Sequence, residues 1–153
     1  ADIKSKLKWQ TIGPDKINQL RHVRYFKDIN GMKDYMKKHA AILRPKFEMV
    51  EATLEKELGG LGIGEWTTPK GGYFISFESL DGCAKKIVAM AKEAGVVMTG
   101  AGATYPYGKD PKDSNIRIAP SYPSVGELSQ AMDILILCVK LAYIENKLGI
   151  QPK

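Results

Sequence analysis

The chain predicts an α+β fold, a small three-stranded sheet with helices packed on one face and a long helix before it. Three observations carry this. Met36, Ala40, Leu43, Phe47, Val50 and Leu54 recur at steps of four, three, four, three and four, which is one apolar helical stripe. Short runs rich in β-branched and aromatic residues stand at 72–77, 96–98 and around Arg117, bounded by glycine and proline. The last amphipathic stretch opens on a Ser124/Glu127 capping box and stops at Gly149.

In chain order, residues 1–10 read as an amphipathic lead-in, and Thr11-Ile12-Gly13-Pro14 as a turn. Pro14 suits an early helical position and Asp15 the positive helix end, so a helix is predicted to about Phe26. Asp28-Ile29-Asn30-Gly31 breaks it. The long helix follows; Pro45 inside it predicts a kink or two abutting helices. Gly59 and Gly60 end it, and Gly62 and Gly64 predict a loose stretch. This glycine cluster has no strand before it and no helix after it, so it is no phosphate loop. Pro69-Lys70-Gly71-Gly72 leads by a tight turn into a strand over Gly72–Phe77, with Tyr73, Ile75 and Phe77 on one face and Phe74 on the other. Asp81 predicts a cap for a helix from Gly82 to Ala94, closed by Gly95. Val96–Met98 reads as a short strand. Thr99–Ser114 is a long Gly/Pro/Asp-rich connection of the kind that carries function. The final helix places Leu128, Met132, Leu135, Val139 and Ala142 on its core face.

A hydrophobic share of 44% and a charged share of 26% over 153 residues describe an ordinary single globular domain with room for a core. The net charge of +6 comes from lysines interleaved with acids along helical stretches. No arginine-rich run or basic–aromatic alternation accompanies it, so a solvated surface is expected, and not a nucleic-acid partner. No apolar run approaches the ~18 residues a membrane span needs. The lysine-rich start is unlike a signal peptide, and a first residue Ala1 in place of Met suggests a piece of a longer chain. Cys83 and Cys138 sit in apolar helical patterns and make no metal spacing with His22 or His39, so buried thiols in a cytoplasmic protein are expected.

The stretch with chemical promise is Asn115-Ile116-Arg117-Ile118-Ala119-Pro120. As a strand it points Ile116 and Ile118 one way and Arg117 the other. An apolar pair buried beneath would hold a guanidinium on a rigid element, and its parallel donors suit a carboxylate or phosphate. Taken alone, the same residues also describe an edge-strand arginine bonded to solvent or to a structural carboxylate.

The series Pro69-Lys70-Gly71-Gly72-Tyr73-Phe74, a helix ending at Ala94-Gly95-Val96, a long loop, Asn115-Ile116-Arg117-Ile118-Ala119 and a final amphipathic helix resembles the C-terminal part of a class I, fold type I, pyridoxal-phosphate-dependent aminotransferase. Thr11-Ile12-Gly13-Pro14 resembles the segment that enters the large-domain helix before the interdomain helix. The resemblance covers about residues 10–147 and is nearest a bacterial aspartate or general amino-acid subgroup. It implies that residues 1–30 are a remnant of the large cofactor-binding domain and 31–153 the small domain. It implies amino-acid and 2-keto-acid substrates, with Arg117 on their α-carboxylate. Gly72 and Tyr73 would line the substrate entrance, and Thr11 would lie near the site of a partner subunit in a homodimer. The family's Schiff-base lysine, the aspartate on the pyridine nitrogen and the phosphate cradle lie upstream of anything present. Neither Lys70, in a glycine turn, nor Lys16, on a helix, matches that lysine. The chain alone is therefore expected to be inactive and to hold no cofactor, while the full-length enzyme would use pyridoxal 5'-phosphate. The rival expectation is a stand-alone α+β module that binds a small carboxylate, since fold alone does not fix function.

Overall fold

The computed structural model describes residues 2–11 and 13–150. In chain order the elements are α1 (Asp2–Gln10), α2 (Lys16–Phe26), α3 (Ile29–Leu58), β1 (Gly64–Trp66), β2 (Ile75–Ser79), α4 (Ala84–Glu93), a 3-10 turn (Pro106–Gly108), β3 (Asn115–Ile118) and α5 (Val125–Lys147). The chain divides into two compact units, Ala1–Ile42 and Leu43–Lys153, with the division inside α3.

The first unit is helical and has little interior. No residue of α1 or α2 is buried, and Ile3, Trp9, Ile17 and Val23 lie open. Asp15 caps α2 by accepting the Asn18 N–H at 2.9 Å, so Pro14 stands before the helix and not in its first turn. Ile12, in the expected Thr11–Pro14 turn, lies outside the described residues. The expected break at 28–31 is narrower than four residues. Lys27 adopts φ +62, and the Asp28 carboxylate accepts the N–H groups of Asn30 and Gly31 at 2.8 and 2.9 Å. That capping lets the helix restart at Ile29. Gly31 is needed there, since a Cβ would fall 2.0 Å from the Phe26 carbonyl oxygen. The rings of Tyr25, Phe26 and Tyr35 then meet edge to face, with centroids 5.1–5.6 Å apart. Pro45 does not divide α3 into two helices. Pro45 and Ala41, whose carbonyl loses its partner, are both exposed, so water can satisfy the orphaned group.

The second unit holds the core. The sheet is antiparallel in the order β1-β2-β3. Phe77 pairs with Trp66 on one side and Ile116 on the other, and Ile75 with Ile118. Opposed residues share a face, so these side chains form one apolar layer. Val50, Leu54 and Leu58 of α3, Ile87 and Ala91 of α4, and Leu128, Met132, Leu135, Val139 and Ala142 of α5 complete the buried cluster. The α+β architecture and the inner face of α5 are as the sequence predicts. The Ser124/Glu127 capping box is also present, the Ser124 hydroxyl accepting the Glu127 N–H and the Glu127 carboxylate the Ser124 N–H.

Four local expectations are corrected. The strand predicted at 72–77 runs instead from Ile75 to Ser79, which leaves Tyr73 and Phe74 in the segment before it. The strand predicted at Val96–Met98 is absent, because the Val96 N–H is spent on the Ala91 carbonyl (2.8 Å) where α4 closes over Gly95. The third strand is β1, inside the supposedly loose glycine stretch. Gly64 makes it possible: a Cβ there would lie 2.6 Å from the buried Phe77 ring. Asp81 is not the α4 cap. Cys83 holds that position, and the N–H groups of Ala84 and Lys85 go to the Asp113 carbonyl (2.8 Å) and carboxylate (3.2 Å).

Gly64→Ala should therefore lower stability by roughly 1–3 kcal/mol through overpacking against Phe77. A chemical-denaturation midpoint equal to wild type would contradict that contact.

Candidate functional site

Arg117 is the third residue of β3, and the flanking Ile116 and Ile118 are buried in the apolar layer. Alternation therefore sends Arg117 to the opposite face, beside its cross-strand partner Ser76. Its guanidinium carbon lies 4.3 Å from the centroid of the Phe74 ring, and Nη2 donates to Thr99 Oγ1 at 3.3 Å. Nε is buried and has no hydrogen-bond partner. None of the ion pairs among the described residues involves Arg117. A buried unsatisfied donor costs roughly 1–3 kcal/mol, more when charged. The ring fixes the plane of the guanidinium and Thr99 one corner, while Nε has no acceptor among the described residues. Among the described residues, then, no carboxylate pairs with Arg117 as the structural alternative requires.

The same face is braced by a polar network. Glu78 accepts from Ser114 Oγ at 2.9 Å and from the Asn115 side-chain amide. The Asn115 amide also donates to Ser76 Oγ at 2.8 Å, and its carbonyl oxygen accepts from Thr104 Oγ1 at 2.5 Å. Asp110 closes the long loop onto the strand. One carboxylate oxygen accepts the N–H groups of Ser114 and Asn115, both at 2.8 Å, and the other accepts Lys112 N–H at 2.9 Å. Those bonds, Asn115 foremost, hold the Asp110 carboxyl below the usual aspartate range. Asp110 thus sets where β3 begins and, two residues on, where Arg117 points.

The other sequence-predicted positions are less constrained. Gly72 has φ +90, which suits the turn before β2, and it is exposed. Tyr73 is exposed beside it, and it is the next residue, Phe74, that meets Arg117. Thr11 is exposed in the first unit, where its N–H donates to the Leu7 carbonyl at 3.1 Å. Phe74, Thr99 and Asp110 are the positions that sequence reasoning missed. The strand periodicity did put Phe74 on the face opposite Ile75 and Phe77, but only the register shows that Arg117 shares it.

A Schiff-base cofactor would be anchored by one of the lysines. Among the described residues all are exposed except Lys46, Lys86 and Lys140. Lys46 donates to the carbonyls of Ser121 and Tyr122, Lys86 pairs with Glu145 at 2.6 Å, and Lys140 with Glu57 at 2.8 Å. Each is committed to the fold. Arg117 has the donor geometry that suits a carboxylate, and none of the three half-buried lysines is free to anchor pyridoxal phosphate. Cys83 and Cys138 are buried free thiols, their pKa values raised by burial.

This geometry accords with what the chain is similar to. The model of the aspartate amino-transferase family matches residues 1–151, and the chain belongs to that family. It is 48% identical over 146 residues to an aspartate aminotransferase of Corynebacterium glutamicum, covering 91% of this chain and 34% of that protein. A Mycolicibacterium smegmatis protein named as an aminotransferase is 49% identical over 140 residues, covering 92% of this chain and 33% of its own length. The crystal structure of an aspartate transaminase from Corynebacterium glutamicum superposes with a TM-score of 0.86 at 47% identity, over 93% of this chain and 34% of that one. An α-aminoadipate aminotransferase of Thermus thermophilus shares the fold, with a TM-score of 0.64 at 18% identity over 74% of this chain and 28% of its own. The chain thus spans about a third of the length of the relatives it matches. None of the described helices is long and apolar enough to cross a membrane.

A carboxylate with a lowered folded pKa contributes stability that is present above its unfolded value, near 3.8 for aspartate, and lost as pH falls through the folded value. Acid melts should show Tm falling below that point, and Asp110→Asn should lower Tm at neutral pH while flattening the acid slope. An unchanged slope would remove Asp110 from the clamp.

Proposed function

We propose that this chain is the C-terminal small domain of a pyridoxal-phosphate-dependent aminotransferase, and that Arg117 binds the α-carboxylate of its amino-acid and 2-keto-acid substrates. One observation carries the reading. A guanidinium is held on a rigid strand by a ring and a hydroxyl, with a buried donor unanswered and, among the described residues, no acidic side chain paired to it. A carboxylate is the group such a fork matches. The full-length enzyme would transfer an amino group between an amino acid and a 2-keto acid. Pyridoxal phosphate, held by the rest of that enzyme, would supply the electron sink. This chain's part is to bind the carboxylate in both half-reactions and so orient the bond at the substrate α-carbon, which lowers the entropic cost of reaction.

The family supports the wider assignment. Residues 1–30 are read as the end of the cofactor-binding domain and 31–153 as the small domain, in a cytoplasmic homodimer. Gly72 and Tyr73 line the substrate entrance, and Thr11 lies toward the neighbouring subunit's site.

In the full-length enzyme, Arg117→Ala should raise KM for every amino acid by roughly 10- to 150-fold, the worth of a charge-assisted hydrogen bond of about 1.5–3 kcal/mol. Arg117→Lys should restore little of it, because a point charge cannot reproduce the stacked, forked geometry. Steady-state kinetics with unchanged KM in both variants would take Arg117 out of the site. Phe74→Leu removes only the cation–π contact, about 0.5–1 kcal/mol, and should raise KM roughly two- to fivefold. A Phe74→Leu enzyme indistinguishable from wild type would make the ring incidental.

A further inference from the structure

The Arg117 guanidinium and the Thr99 hydroxyl come from different segments, β3 and the start of the long loop after α4. They meet at 3.3 Å between Nη2 and Oγ1. That is long for a hydrogen bond from a charged donor, which ordinarily closes to about 2.7–2.9 Å. A hydroxyl has one hydrogen to give as well as lone pairs to accept with. Thr99 Oγ1 accepts from Arg117, but among the described residues it gives its own hydrogen to no acceptor. Other threonines are committed as donors: Thr53 to the Met49 carbonyl at 2.9 Å, and Thr104 to the Asn115 side chain at 2.5 Å.

Thr99 is also held in place. Val96 and Met98 before it and Ala101 after it pack against the core. The Gly102 N–H then donates to the Asn115 carbonyl at 3.4 Å, and a Cβ on Gly102 would fall 2.8 Å from the Gly108 carbonyl oxygen. The loop thus folds tightly on itself just past Thr99, and the half-buried hydroxyl is fixed from both sides. The other polar groups on the Arg117 face are occupied. Ser76 Oγ and one Glu78 oxygen take the Asn115 amide, and the second Glu78 oxygen takes Ser114 Oγ. Glu78, the acid on that face, is thereby committed to the start of β3.

We infer that Thr99 is a second ligand of the substrate α-carboxylate, its O–H donating to one oxygen while Arg117 donates to the other. This rests on the carboxylate role proposed for Arg117 and adds to it a neutral donor from a separate segment. The 3.3 Å between the two groups lets one carboxylate span both. An ionised carboxylate only accepts, so it answers the open hydroxyl hydrogen and the guanidinium together.

The test is made in the full-length enzyme, with propionate as a competitive inhibitor that has a carboxylate and no amino group to transfer. Thr99→Val removes the hydroxyl at nearly constant shape. It should raise the propionate inhibition constant and the KM for amino acid and 2-keto acid together, each roughly tenfold, as loss of one hydrogen bond to a charged group implies. It should lower kcat by much less. Thr99→Ser keeps the hydroxyl and should restore values close to wild type. In the Arg117→Ala background, Thr99→Val should lower kcat/KM again, because a direct ligand holds the substrate even without the arginine. No further loss in that background would make Thr99 an orienting group for Arg117 alone and overturn the inference. Thr99→Ser as weak as Thr99→Val overturns it too, as do wild-type constants in Thr99→Val while Arg117→Ala raises them. Constants unmoved by Arg117→Ala instead strike the carboxylate reading itself, and the Thr99 role with it.

Discussion

The burial of Ile116 and Ile118 beneath β3 is the constraint from which the candidate site follows. A strand presents alternate residues to alternate faces, so sealing those two isoleucines under the sheet leaves Arg117 no direction but outward. The pairing with β2 then fixes its neighbours, because Ser76 stands opposite and Phe74 lies two residues back on the same face. The guanidinium is aimed chiefly by the core beneath it, which is stiffer than any polar contact around it. Thr99 and Phe74 adjust an orientation that the strand has already set.

Strand β3 and helix α4 are in turn positioned by one loop that uses two aspartates in different ways. Asp110 gathers the N–H groups that precede and open β3, while Asp113 accepts the N–H groups of Ala84 and Lys85 that open α4. The long connection between α4 and the arginine strand is thereby tied at its far end to both elements it serves. Its middle, around the 3-10 turn at Pro106–Gly108, has no such ties to the core: Tyr107 and Lys109 are exposed.

Much of this was legible in the sequence, where side-chain periodicity does the work. The inner face of α5, the long stripe of α3 and the outward aim of Arg117 all follow from spacing alone. What was not legible depends on partners distant in sequence. β1 exists because Gly64 lets Phe77 lie against it, and nothing near Gly64 announces that ring. Val96–Met98 has strand-like composition but lost a backbone donor to a helix end. The first N–H groups of α4 are answered by Asp113, which lies well beyond the helix in sequence, whereas Asp81 is the capping type nearest its start. At the site the arginine was visible from its flanking isoleucines, whereas Phe74 and Thr99 needed the register and the loop path.

The two-residue spacing between the Asp110-bound backbone of Asn115 and Arg117 has an evolutionary consequence. Between the clamp and the arginine the chain counts faces, so the loss or gain of one residue there would turn the guanidinium into the core and an isoleucine into water. On the far side of the clamp, in the exposed middle of the loop, length alters no register at all, and the entropic cost of extra residues grows slowly. Homologous chains can therefore diverge in the size of that loop, and in whatever it encloses, while the spacing from Asn115 to Arg117 stays invariant.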